Sequence, residues 1–170
     1  MKTINTCAEF LAYALAIEEE ATERYTVFAE QMETTNNPEV AALFREMARL
    51  ESEHAHRLEV AAEGESLPAI DPWELDFGDE DPPEAVDYSA THYLMTPYQA
   101  LTLVLKAEQR AVDFFQRVAE GNGNDDMKQL AAEYAAEERE HVEKVAKWRN
   151  RYPPPDDNWD DDPDPPNELE

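Results

Sequence analysis

The side chains in this sequence best suited to chemistry lie in two short runs, Glu51-Ser52-Glu53-His54 and Glu138-Arg139-Glu140-His141. On a helix, a Glu and a His three positions apart leave from one face about one turn apart. A carboxylate and an imidazole placed that way can hold a metal ion between them. Each run follows, at hairpin spacing, a helix with one inward glutamate, Glu18 in the first case and Glu108 in the second. Together the six side chains form a ligand set for two metal ions.

The bare tetrapeptide is a weak signal. Glu makes up 26 of the 170 residues, so about one His in seven has a Glu three positions earlier by chance. Glu53 and His56 are such a pair. Register separates them: Glu53 and His56 share a face with Glu46 and Arg49, a solvated stripe, whereas Glu51 and His54 share theirs with Phe44, Met47 and Leu58. A lone helical His usually reads as a core imidazole with a hydrogen-bond partner. The full set of six is hard to explain that way, because four buried carboxylates without cations are costly, and two divalent ions balance their charge.

Four helices have to position these residues. Thr6-Cys7-Ala8-Glu9 is a capping box that opens the first, and its inward seam is Leu11, Ala14, Glu18, Ala21, Tyr25, Phe28 and Met32, in steps of three and four. Glu19 and Glu20 fall off that seam and are expected to face water. After a turn over Thr34 to Asn37, Asn37 caps a second helix with Pro38 at its first position. Its seam runs Val40, Phe44, Met47, Glu51, His54, Leu58 and Ala61, and Gly64 ends it. Thr96-Pro97-Tyr98-Gln99 opens the third helix, with Leu101, Val104, Glu108, Ala111, Phe115 and Val118 inward. Gly121-Asn122-Gly123-Asn124 is a turn, and the fourth seam is Met127, Ala131, Tyr134, Glu138, His141, Val145 and Trp148.

This predicts an all-α four-helix bundle over residues 1–152, made of two antiparallel helical hairpins joined by a long crossover at about 64–96. An acidic Pro/Asp-rich tail follows over 153–170. The crossover contains nine acidic residues and no Lys or Arg, with scattered aromatics at Trp73, Phe77, Tyr88 and Tyr93; His92 within it is expected to be exposed. The tail is expected to be solvated, with order only where Trp159 finds a surface.

The hairpins read as copies of one another. Setting Glu18 on Glu108 matches Ala21 with Ala111 and Tyr25 with Phe115, and setting Glu51 on Glu138 brings His54 onto His141. In an antiparallel hairpin, two residues stand at equal height when the turn lies midway between them. The midpoint of Glu18 and Glu51 is Thr34/Thr35 and that of Glu108 and Glu138 is Gly123, and both fall in expected turns.

Forty acidic residues against fourteen basic ones give a formal charge of −26. That field repels phosphate backbones and anionic headgroups, so neither nucleic acid nor a membrane is an expected partner. The single cysteine, Cys7, excludes an intrachain disulfide and any four-cysteine metal centre within this chain. The Ala/Leu-rich start is interrupted by Glu9 and reads as the first helix rather than a leader. No stretch has the roughly 20 apolar residues of a membrane span, and a cytoplasmic homodimer or higher homo-oligomer is expected.

The pattern Glu18, Glu51-x-x-His54, Glu108 and Glu138-x-x-His141 on four helices resembles the ferritin-like di-iron carboxylate proteins. Within that superfamily, Glu18-Glu19-Glu20-Ala21-Thr22-Glu23-Arg24-Tyr25 and Glu53-His54-Ala55-His56-Arg57-Leu58 are similar to the rubrerythrin branch. The likeness covers residues of about 6 to 150. Two features depart from it. A single cysteine cannot form the rubredoxin-like iron domain of rubrerythrins proper, and Ala111 stands where they usually carry a further Glu. The symmetric six-ligand set also resembles simple ferroxidase centres and the demethoxyubiquinone hydroxylase type.

The resemblance implies two iron ions, with manganese or zinc as other occupants. Carboxylate-rich sites with one imidazole per metal suit iron or manganese. Glu18 and His54 are assigned to one ion, Glu108 and His141 to the other, and Glu51 and Glu138 bridge. The expected function is a non-haem di-iron oxidoreductase acting on hydrogen peroxide or dioxygen with an external electron donor. A ferroxidase or iron-storage protein is the first alternative, and a metal-free acidic helical interaction module is the second. Tyr25, two turns along the seam from Glu18, is a candidate redox or hydrogen-bonding group, with core packing as the competing role.

Overall fold

The computed structural model describes residues 4–70 and 91–160. Four helices form among them: α1 (Cys7–Thr34), α2 (Pro38–Ala61), α3 (Pro97–Glu120) and α4 (Asp125–Arg149). No strand occurs among the described residues. The crossover aromatics Trp73, Phe77 and Tyr88, and the tail beyond Asp160, lie outside them.

Each helix starts where a short polar side chain can satisfy the free N–H groups of the first turn. Thr6 Oγ1 accepts from Glu9 N at 3.2 Å and the Glu9 carboxylate accepts from Thr6 N at 3.2 Å. Thr96 and Gln99 repeat the capping box at α3, and Asn124 accepts from Met127 N at 2.8 Å to start α4. Asn37 caps α2 and also donates through Nδ2 to the carbonyls of Met95 (2.8 Å) and Tyr93 (3.2 Å).

That last contact defines the topology. Asn37 stands at the start of α2, and Met95 lies just ahead of α3, so the two helices begin at the same end and run parallel. At the other end, Asn124 donates its N–H to the Asn5 carbonyl at 3.4 Å, which places the starts of α4 and α1 together. Helices α1 and α2 pack as one hairpin, α3 and α4 as the other, and the hairpins meet through α2 with α3 and α1 with α4. A 24-residue α2 is about 36 Å long, so the chain needs at least about eleven extended residues to return to the start of α3.

The apolar core is divided. Tyr25, Phe28, Met32, Phe44, Met47 and Leu101 belong to one cluster, against which Trp148 of α4 and, from beyond that helix, Tyr152 and Trp159 pack. Phe10, Ile17, Leu58, Phe114, Phe115 and Met127 belong to the other, joined by Leu67 and Ile70 of the crossover. On every helix the boundary between the clusters falls at a polar residue of the seam. Ile17 and Ala21 flank Glu18, and Met47 and Leu58 flank Glu51 and His54; Ala107 and Ala111 flank Glu108, and Ala135 and Val145 flank Glu138 and His141.

Four expectations are corrected. Helix α2 stops at Ala61, with its last turn tightened by Glu63 N to Val60 O, so Ala62 is buried where Ala61 was expected and Ala61 faces solvent. Gly64, at φ +90°, then turns the chain three residues beyond the end of the helix, in a conformation glycine adopts without strain. Glu20 is only half-exposed, because its carboxylate pairs with Arg24 one turn on. His92 is half-buried, stacked on Tyr93 at 4.7 Å and met edge-on by Trp159 at 5.2 Å.

Candidate metal centre

Between the two apolar clusters the four seams deliver Glu18, Glu51, His54, Glu108, Glu138 and His141 to one layer. The four carboxylate residues are 0–1% exposed and His54 is 9% exposed, while His141 is half-buried. His54 Nδ1 lies 3.1 Å from Glu51 Oε2 and 3.6 Å from Glu18 Oε2. The second hairpin repeats this: His141 Nδ1 lies 2.9 Å from Glu138 Oε2 and 3.7 Å from Glu108 Oε2. The internal repeat read in the sequence therefore has a counterpart in distances. The two imidazoles meet across the repeat, with ring centroids 4.2 Å apart and planes 11° from parallel.

The donor atoms suit a metal. Glu18, Glu51 and His54 each place one ligand atom within 4.8 Å of the others, and so do His54, Glu138 and His141. Glu51 Oε2 and His54 Nδ1 are buried and lack hydrogen bonds. Groups left that way cost about 1–3 kcal/mol each. A divalent cation between them would remove that cost and offset the charge of the surrounding carboxylates.

The layer is reached from one side. A cavity of about 890 Å³ opens between α2 and α4, with Glu51, His54, Glu108 and His141 among its lining residues. Met47, Leu50 and Val145 supply apolar wall, and Glu53, His56, Arg57, Glu137, Glu140 and Lys144 supply polar lining. Arg57 pairs with Glu137 at 3.3 Å, joining α2 to α4 beside the opening.

A rubrerythrin family model matches residues 9–149. The chain belongs to the rubrerythrin family. Its helices, α1 to α4, occupy nearly the same span, and proteins of this family are ferritin-like and bind a pair of iron ions. A crystal structure of an uncharacterised conserved protein from Magnetospirillum magnetotacticum MS-1 is 38% identical, with a TM-score of 0.67. That match covers 89% of this chain and 98% of the other. No curated protein matches the chain.

Around the rubrerythrin-type layer, Tyr25 is fully buried and stacks on Phe44 at 6.1 Å. It belongs to the first core cluster and does not line the cavity. Tyr134, the other seam tyrosine near the layer, is half-buried against Phe10 and Phe115. Burial pushes its phenol up to about 12, and the charges of Glu137, Glu18 and Glu133 add to the rise, against a lowering by Arg57. The ring therefore stays a neutral donor at ordinary pH.

Sequence reasoning missed the cavity lining. Glu53 and His56 are exposed, as their register implies, and Arg49 bridges Glu46 and Glu53 on the same stripe. Both nonetheless line the opening. The usable signal was position alone, because Glu53, Glu137 and Glu140 adjoin ligand-type residues in sequence.

Proposed function

We propose that this chain is a non-haem di-iron oxidoreductase of rubrerythrin type, acting on hydrogen peroxide or dioxygen with electrons from an external donor. The observation that carries this reading is the buried layer itself: four carboxylates and two imidazoles at matched distances in two hairpins. Glu18 and His54 would hold one iron, Glu108 and His141 the other, and Glu51 and Glu138 would lie between them. Such a pair supplies two electrons to an oxidant.

The remaining roles belong to the protein. The apolar clusters on either side exclude water and fix the rotamers of the six side chains. The cavity between α2 and α4 gives a small oxidant a route to the imidazole side of the layer. Tyr134 packs against Phe10 and Phe115 and keeps its phenol protonated at ordinary pH, and Tyr25 serves core packing.

A second reading has its own support. Glu53, Glu137 and Glu140 line the cavity in a chain of formal charge −26, which concentrates cations at the opening. Ferrous iron as substrate, in a ferroxidase, would use that field. Stopped-flow mixing of ferrous-loaded protein with peroxide and with oxygen separates the readings. Rapid two-electron reduction of peroxide, sustained by an added reductant and without accumulating mineral, supports the peroxidase. Oxidation of many ferrous ions per chain with mineral growth supports the ferroxidase, and no reaction with either oxidant overturns both.

A further inference from the structure

The cavity between α2 and α4 is far larger than the oxidant it admits. Dioxygen or hydrogen peroxide needs little more than the roughly 30 Å³ that one water occupies, whereas this cavity measures about 890 Å³, within the span of sites that bury small organic molecules. Met47 and Val145, both buried, and the half-buried Leu50 give it an apolar wall that leads to the two imidazoles. Lys144 brings an ammonium to the same lining. The other cation there, Arg57, is already held by Glu137 at 3.3 Å.

Charge narrows the occupant. Glu53, Glu137 and Glu140 share the lining in a chain of formal charge −26, a field that repels the phosphate-bearing nicotinamide and flavin nucleotides and favours a neutral molecule. We infer that the cavity binds a neutral hydroquinone, the external electron donor of the proposed reaction. The inference rests on the oxidoreductase reading and names its donor. The ring lies against Met47, Leu50 and Val145, and the Lys144 ammonium donates to one ring oxygen. The hydroquinone passes two electrons into the layer, releases two protons and leaves as the quinone. Hydrogen peroxide takes up two electrons and two protons as its O–O bond breaks, giving two molecules of water.

Calorimetric titration of the metal-free full chain with duroquinone, whose fully methylated ring cannot add to Cys7, reads binding without any turnover. Anaerobic mixing of iron-loaded, peroxide-oxidised chain with duroquinol reads re-reduction. Duroquinone is expected to bind, and re-reduction to saturate with duroquinol. Leu50→Trp fills the cavity and should weaken duroquinone binding, and raise the duroquinol concentration for half-saturation, by at least about tenfold. Lys144→Met, at an exposed position, removes the donor and should weaken both by about tenfold; it carries the test if circular dichroism shows that Leu50→Trp does not fold. Val60→Trp, exposed and outside the cavity, should change neither by more than about threefold. Absence of duroquinone binding, or binding that either folded cavity variant leaves unchanged, overturns the inference. The oxidoreductase reading then still stands if the ferrous-loaded chain reduces peroxide, whereas a ferrous-loaded chain inert to peroxide and oxygen overturns the two together.

Discussion

His54 and His141 stack ring on ring, their centroids 4.2 Å apart and their planes 11° from parallel. They come from opposite hairpins, yet each faces its own pair of glutamates at almost the same distances. A bundle held only by apolar packing has no use for this arrangement, because it brings four carboxylates out of water. A bundle built around cations does. The stability of the protein should therefore depend on metal.

Manganese, or ferrous iron added without oxygen, should raise the melting temperature of chelator-treated protein. At a free concentration of about 100 times the dissociation constant, binding contributes about 2.7 kcal/mol. For a chain of this size that corresponds to roughly 5–10 °C. Scanning calorimetry with and without metal reads the shift; equal melting temperatures would mean that the layer binds neither ion.

Glu51→Gln should act in opposite directions on the two forms. The metal-free protein loses one buried negative charge and should gain about 1–3 kcal/mol. The stabilisation by metal should shrink at the same time. Denaturant titrations of both forms measure the two changes, and a variant that weakens the metal-free protein would show that Glu51 is stabilised by something other than a cation.

Asn37 separates capping from topology. Its side chain accepts from Val40 N and donates to the Met95 and Tyr93 carbonyls. Asn37→Ala loses both functions and should cost about 1–2 kcal/mol. Asn37→Asp keeps the cap but cannot donate, so its loss should be smaller, with faster hydrogen exchange confined to residues 93–95. Identical losses for the two variants would mean that the link to the crossover contributes nothing.

Tyr134 makes a prediction at alkaline pH. Its phenol titrates near 10 when unfolded and is pushed up to about 12 in the fold, chiefly by burial. Below pH 10 it is protonated in both states and contributes no pH dependence. Between about 10 and 12 the unfolded chain has released the proton and the folded chain has not, so stability falls as pH rises. The half-exposed ring limits the effect to about 1 kcal/mol. Tyr134→Phe should flatten that part of the stability curve and remove one late-titrating phenol from the absorbance at 295 nm; an unchanged curve would place the alkaline loss elsewhere.

Much of this was legible in residue spacing, and the reasons are local. Capping boxes at Thr6 and Thr96 declare helix starts through the hydrogen bonds they make. Register separated Glu51 and His54 from Glu53 and His56, because the heptad-like seam follows directly from helix geometry. The midpoint rule set Glu18 level with Glu51 and Glu108 level with Glu138 because both turns are short. What could not be read depended on packing between elements that are remote in sequence. Ala62 replaces Ala61 in the core because the last turn of α2 tightens. His92 is covered by Trp159, which returns from beyond α4. The opening between α2 and α4, with Arg57 and Lys144 in its lining, reflects how far two helices stand apart, a quantity no periodicity encodes.

Anomalous diffraction at the iron edge, from crystals of the full chain loaded anaerobically with ferrous ion, tests the six-ligand layer most directly. Two peaks are expected inside the bundle, one beside Glu18 and His54 and the other beside Glu108 and His141. Peaks confined to the acidic surface, or none within the helices, would contradict it.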